Sequence, residues 1–182
     1  MMITFAKEAL QNIRQTGSII ESSSFLCRKM TSAIDFSKEL NMVELGAGTG
    51  KMTKWILSQM SKSSSLMSFE VNSSLFTQLS GIEDDRLHAI NRTAGDLRVF
   101  QQNSTVDYII SGLPLANIDQ EEKSRFIYDC YKALKPGGYF IQFQYSLNDF
   151  SMIKNRFKMV NLGFTFFNFP PAFVYYAIKT AK

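Results

Sequence analysis

Apolar and polar positions along this chain follow two rhythms, and the switches between them divide it into elements. Over residues 2–13, Met2, Ile3, Phe5, Ala6, Ala9, Leu10 and Ile13 recur at helical spacing while Thr4, Lys7, Glu8 and Gln11 take the other side, which predicts an amphipathic helix that packs on the protein's own core, lies in a membrane interface or binds a partner. Gly17 interrupts the pattern, and Glu21-Ser22-Ser23-Ser24 offers caps for a second helix through Phe25, Leu26, Met30 and Ile34. A short apolar run ending at Val43-Glu44-Leu45 reads as a buried strand, followed by glycines and a helix over 51–60. Further strands are predicted at 66–69, 87–91, Val106–Ser111 and 139–144, with a helix over 72–79 and another starting at Asp119 and running through Phe126, Ile127, Cys130 and Leu134. Asp119 with Glu122 three residues on has the spacing of a capping box, and Lys135-Pro136-Gly137-Gly138 is a strong helix stop. A basic amphipathic helix is expected over 149–160, with Phe150, Ile153, Phe157 and Val160 on one face. Two closing strands, 164–169 and 173–178, flank Pro170-Pro171.

Strands alternating with helices and ending in a strand pair predict a three-layer α/β/α sandwich on a mostly parallel, Rossmann-like sheet. The 182 residues are expected to form a single domain, with 1–36 as N-terminal helices and 37–182 as the core. No internal repeat or low-complexity tract interrupts them.

Composition adds two hints and removes some chemistry. The chain is rich in aromatics, with 16 Phe and 7 Tyr, and its charged fraction of 20% is low for a simple soluble enzyme, so contact with something apolar is expected. A net charge of +4 suits an acidic surface such as anionic lipid or nucleic acid. Two isolated cysteines, Cys27 and Cys130, and one histidine, His88, argue against a metal site and for a reducing cytosol. The N-terminal stretch has no continuous hydrophobic region for a signal peptide, and 164–178 is broken by Asn168 and the two prolines, so no membrane span is expected. A monomer is the expected state.

The candidate chemistry centres on Val43-Glu44-Leu45-Gly46-Ala47-Gly48-Thr49-Gly50. Alternate glycines let the backbone turn tightly after a strand and bring its N–H groups close to a ligand, while the next helix points its positive end at the same place. A dinucleotide fingerprint fails because Lys51 stands where its third glycine belongs, and a phosphate loop fails because position 45 is Leu. What remains, E-x-G-x-G-x-G, is similar to the loop of S-adenosylmethionine-dependent methyltransferases. Glu70 lies about twenty residues on at a strand end, where such a sheet places the acid that accepts ribose hydroxyls. Asp96, after the third strand, is either an adenine contact or an ordinary Gly-Asp turn. Gly112-Leu113-Pro114-Leu115 follows the fourth strand from Ser111, and Tyr145 ends the fifth. His88 reads as structural.

Over nearly its whole length the chain resembles the bacterial phospholipid N-methyltransferases, which are themselves similar to ribosomal RNA adenine dimethylases. The resemblance rests on Gly17-Ser18-Ile19-Ile20-Glu21-Ser22-Ser23, the glycine loop, Ser111-Gly112-Leu113-Pro114-Leu115, Gln142-Phe143-Gln144-Tyr145 and Asn168-Phe169-Pro170-Pro171-Ala172. Glu21 stands where the family commonly has proline, and Gln144 where it commonly has threonine. The resemblance implies a seven-stranded sheet with its last strand antiparallel, and an N-terminal helix that docks a cytoplasmic protein peripherally on anionic membrane. It also implies S-adenosylmethionine held by Glu44, Gly46, Ala47, Gly48, Thr49, Gly50, Glu70, Asp96 and Ser111. The methyl acceptor is then a lipid head-group amine such as that of phosphatidylethanolamine. The Gly112 and Leu113 carbonyls, fixed by Pro114, are expected to hold that amine without a dedicated strong base. Tyr145 either meets the developing ammonium or is a core aromatic with its hydroxyl in water.

The adenine dimethylases carry Asn-[Ile/Leu]-Pro-[Tyr/Phe] after the fourth strand, with an aromatic ring to stack the flipped base. Here Gly112 replaces the Asn and Leu115 the aromatic, which disfavours a nucleic-acid acceptor. Methylation of RNA adenine or of a small amine, and a non-catalytic membrane-associated protein that binds S-adenosylmethionine, remain the alternatives.

Overall fold

The computed structural model describes residues 24–100, 104–166 and 171–180. The helix expected over 2–13, the caps at 21–23 and Asn168, Phe169 and Pro170 lie outside them. Strands β1 (Asn41–Leu45), β2 (Ser65–Phe69), β3 (Leu87–Ile90), β4 (Val106–Ser111), β5 (Leu134–Gln144), β6 (Lys158–Thr165) and β7 (Ala172–Lys179) form one sheet in the order β3-β2-β1-β4-β5-β7-β6. The first five pair in parallel, and β7 runs antiparallel to both β5 and β6. This is the expected Rossmann-like methyltransferase architecture. The apolar runs Met42-Val43 and Ile109-Ile110 arise because central parallel strands are covered on both faces.

Helices α1 (Ser24–Thr31), α2 (Lys51–Gln59), α3 (Ser73–Ser80), α4 (Leu97–Phe100), α5 (Gln120–Ala133) and α6 (Phe150–Phe157) flank the sheet. On one face Leu26 and Met30 of α1 and Ile56 of α2 pack on Met42, Ile110, Ile141 and Val174. On the other, Leu97, Ile127 and Phe157 pack on Val43, Ile109, Phe140 and Tyr175. The Trp55 indole donates to Thr31 Oγ1 at 3.1 Å, and the Tyr176 hydroxyl donates to the Lys29 carbonyl, so α1 is tied both to α2 and to β7. Asn72 caps α3 and Asp119 caps α5, each through a side-chain oxygen that accepts two backbone N–H groups.

Three boundaries differ from the sequence reading. The basic helix expected to reach Val160 stops at Phe157, where Lys158 adopts φ 63° and the chain turns into β6. Val160 still packs against the same core as Ile153 and Phe157, but from a strand. Helix α5 stops at Ala133 and Leu134 already pairs with Val106. The next pair is Tyr139 with Tyr108, so Lys135-Pro136-Gly137-Gly138 swells out as a bulge within β5, with Gly137 at φ 83°. The penultimate strand begins at Lys158 rather than 164, because an exposed edge strand carries only a sparse apolar signal: Met159 and Leu162 face outward.

The topology brings the C-terminal ends of β1, β2, β3, β4 and β5 to one edge of the sheet. β6 runs the same way as β5, so its end at Thr165 reaches that edge too.

Candidate functional site

At this edge the chain leaves β1 through three left-handed glycines, Gly46 at φ 78°, Gly48 at φ 60° and Gly50 at φ 80°. The turn is held from β2: Gly46 N and Ala47 N donate to the Phe69 carbonyl at 2.9 and 3.0 Å. A Cβ at Gly46 would press on Leu113 at 2.8 Å and one at Gly50 on Ile82 at 2.6 Å, whereas one at Gly48 would enter open space. Gly48 therefore presents bare backbone outward, as a loop that receives a ligand closely must. Gly50 then opens α2 without any side-chain cap, leaving the positive end of the helix to the same space.

Glu70, buried at the end of β2, accepts from Gly48 N through Oε2 and from Asn72 N through Oε1, both at 2.8 Å. Its own carbonyl accepts from the Asn91 amide at 2.8 Å, so the acid is braced by the end of β3 as well. Glu44, on β1 just before the loop, is buried as well. Its Oε2 accepts from Thr53 Oγ1 at 2.6 Å and from Ser68 Oγ at 2.8 Å, clamping α2 onto β1 and β2. Burial pushes its carboxyl up to about 7; the two hydroxyl donors oppose that rise and the charge of Glu70 adds to it. Asp96 closes a short 3₁₀ turn (Ala94–Asp96) after β3, partly buried, with Thr93 Oγ1 accepting from Gly95 N at 3.4 Å.

After β4 the backbone crosses close to the loop. Gly112 N donates to the Leu45 carbonyl at 2.9 Å, and a Cβ at Gly112 would lie 3.1 Å from the Gly46 carbonyl oxygen. Ser111 Oγ, fully buried, accepts from Leu113 N at 3.3 Å. The Leu113 carbonyl accepts from Gln142 Nε2 at 2.9 Å, and Pro114 caps the 3₁₀ turn Leu115–Asn117. Leu115 is buried in the core and presents nothing outward. Tyr145 is 46% exposed and edge-on to Phe143 at 5.7 Å, so it is a surface aromatic and not a core one. His88 is exposed on β3, the edge strand, where it pairs with Met67 of β2 two residues before the strand ends.

The structure thus gathers the glycine loop, Glu70, Ser111, Gly112 and Leu113 at one edge of the sheet, with Asp96 following β3 on one side and Tyr145 following β5 on the other. Sequence reasoning missed Thr53 and Ser68, which hold Glu44, and Gln142, which holds Leu113. The available signal was a polar residue at an inward position of an apolar strand, as with Ser68 and Gln142.

A profile of the methyltransferase domain matches residues 42–138, from β1 through the β5 bulge and so more than half of the chain. The chain belongs to the methyltransferase domain family. S-adenosylmethionine is the cofactor of that family and fold, and the open face at Gly48, with Glu70 beside it, fits such a group. Among solved structures this chain is similar to an S-adenosylmethionine-dependent methyltransferase from Aquifex aeolicus, with TM-score 0.70 and 12% identity over 93% of this chain and 98% of that one. It is similar also to the 1,6-didemethyltoxoflavin-N1-methyltransferase of Burkholderia thailandensis, solved with 1,6-didemethyltoxoflavin and S-adenosylhomocysteine, with TM-score 0.71 and 10% identity over 97% and 87%. A proposed S-adenosylmethionine-dependent methyltransferase from Listeria monocytogenes matches with TM-score 0.56 and 14% identity over 66% of this chain, which spans only 55% of that protein's length. No curated protein sequence matches the chain.

Proposed function

We propose that this methyltransferase N-methylates a lipid head-group amine, phosphatidylethanolamine or a similar aminolipid, at the surface of an anionic membrane. The observation that supports this acceptor is an apolar lip on the cofactor edge of the sheet. Tyr145 and Leu147 follow the end of β5, and Phe166, 76% exposed and edge-on to Phe164 at 4.5 Å, follows the end of β6. Large apolar side chains exposed along this edge suit an acceptor with an apolar body. The amphipathic pattern of residues 2–13, flanked by Lys7 and Arg14, is the expected second anchor.

When bound, S-adenosylmethionine supplies a methyl already activated on a sulfonium. The chain's own task is then to bind and align. Gly48 would receive the cofactor on bare backbone, Glu70 would take its ribose hydroxyls and Asp96 would contact the adenine, with the remaining loop residues and Ser111 shaping the turn. The Leu113 carbonyl gives one lone pair to Gln142 and keeps the other for an amine N–H. Tyr145 meets the developing ammonium through its hydroxyl or ring, an attraction of about 0.5–2 kcal/mol. Alignment of this kind contributes on the order of 7 kcal/mol to a two-reactant step, so no strong base is required of the protein.

A nucleobase acceptor is disfavoured because Leu115, at the position where a stacking ring would stand, is packed into the core. The test is to incubate the protein with methyl-labelled cofactor and either phosphatidylethanolamine vesicles or structured RNA. Label in the lipid extract is expected; label only in adenine of RNA would reassign the acceptor.

A further inference from the structure

Two polar groups near the end of β5, beside the turn after β4, are left over by the chemistry described so far. Gln142 and Gln144 are both buried near the end of β5, at 0% and 5% exposure. Two positions apart on a regularly paired strand, they point to the same face of the sheet, with Cα atoms about 7 Å apart. The Gln142 amide nitrogen donates to the carbonyls of Leu113 at 2.9 Å and Phe143 at 2.8 Å. That fixes its orientation, because the reversed amide would aim its oxygen at two carbonyl oxygens. Gln142 Oε1 and Gln144 Nε2 then have no hydrogen-bond partner among the described residues, and they do not pair with each other. One is an acceptor and the other a donor. Unpaired buried groups of this kind are costly to the fold, so two of opposite sense on one face next to the Leu113 carbonyl ask for a ligand that supplies both complements.

We propose that Gln142 and Gln144 form the polar subsite that reads the methyl acceptor: Gln142 Oε1 accepts an N–H of its neutral amine, and Gln144 Nε2 donates to an oxygen a few bonds away. The chemistry fitted is an amino alcohol ester of the phosphoethanolamine type, and the identification of the class rests on the lipid-amine reading above. Gln142 also fixes the carbonyl of Leu113, so a single amide couples the two groups that face the amine. Tyr145 and Leu147, exposed immediately beyond Gln144, form the apolar entry to this buried pair.

Thermal unfolding and turnover of Gln144→Met together test the assignment. Methionine matches the shape and removes the unpaired donor, so Tm is expected to rise by about 3 °C. Turnover is followed with dihexanoyl-phosphatidylethanolamine and, separately, with free phosphoethanolamine, which tells a lipid source of the head group from a soluble one. The variant is expected to raise KM for whichever is used at least tenfold while kcat stays within twofold. An unchanged KM overturns the subsite whatever Tm does, and a fall in Tm overturns it by making the amide a structural group. If the wild type methylates neither compound, the lipid-amine reading fails by itself. The subsite then stands on the rise in Tm or is overturned by its fall.

Discussion

Glu70 Oε2 lies 2.8 Å from the backbone nitrogen of Gly48, so the acid at the end of β2 grips the glycine loop that follows β1. A hydrogen bond to a charged acceptor in a buried place contributes about 1.5–3 kcal/mol, and here it holds the one loop glycine whose outer side is open. Glu70→Ala is therefore expected to lose stability of about that size and, in addition, at least tenfold in S-adenosylhomocysteine affinity. Chemical denaturation and equilibrium dialysis check the two effects separately; a variant that loses neither would show that the loop stands without the acid.

A crowded glycine and an open one predict different outcomes for the same substitution. At Gly112 a Cβ would sit 3.1 Å from the Gly46 carbonyl oxygen, and backbone cannot step aside as a side-chain tip can. Gly112→Ala should cost about 1–3 kcal/mol by forcing β4's exit away from β1. At Gly48 the added group meets open space, so Gly48→Ala should cost only the left-handed strain of about 1–2 kcal/mol while weakening cofactor binding more than Gly112→Ala does, relative to its stability loss. Urea unfolding of both variants beside cofactor titrations decides.

Glu44 makes stability depend on pH. Its carboxyl is raised from 4.5 to about 7, chiefly by burial, so between those values the folded chain keeps a proton that the unfolded chain has released. Stability is expected to fall as pH rises through this window, by on the order of 3 kcal/mol, and the loss is complete above it. Glu44→Gln keeps an oxygen for Thr53 and Ser68 and cannot ionise. It should flatten this slope and exceed the wild type in stability at pH 8. Equal slopes for the two proteins between pH 5 and 8, measured by urea unfolding, would contradict the assignment.

Much of this was readable in the chain because the signals were local. The β1 loop, the acid closing β2, the apolar run Val106–Ser111 and the Asp119 cap each depend on a few adjacent residues with one mechanical role. The end of α6 was not readable: Phe150, Ile153, Phe157 and Val160 keep helical spacing, and only the turn at Lys158 shows that Val160 reaches the same core from a strand. The bulge at Lys135-Pro136-Gly137-Gly138 reads locally as a stop, since its pairing with β4 on either side is a long-range fact. In the site, Glu44 was placed by motif, but the partners that turn it toward α2 come from two other elements. Gln142 was visible in the segment Gln142-Phe143-Gln144-Tyr145 and as a polar residue in an apolar strand, but what it holds lies on the turn after a neighbouring strand.

Lys123 and Asp149 form a buried ion pair at 2.6 Å that joins the first turn of α5 to the start of α6. Removing one partner strands the other, so Lys123→Met should destabilise the fold by about 3–5 kcal/mol, whereas Lys123→Met with Asp149→Leu should recover most of that loss. Additive losses in the double variant, read from denaturation midpoints, would mean that the pair is not coupled.

Calorimetric titration of wild type and Gly48→Val with S-adenosylhomocysteine decides whether the loop from Gly46 to Gly50 receives S-adenosylmethionine on bare backbone. Saturable one-site binding is expected for the wild type, with at least a tenfold loss in a Gly48→Val protein that is still folded by circular dichroism. Absence of binding to the wild type, or equal affinity in the folded variant, would contradict it.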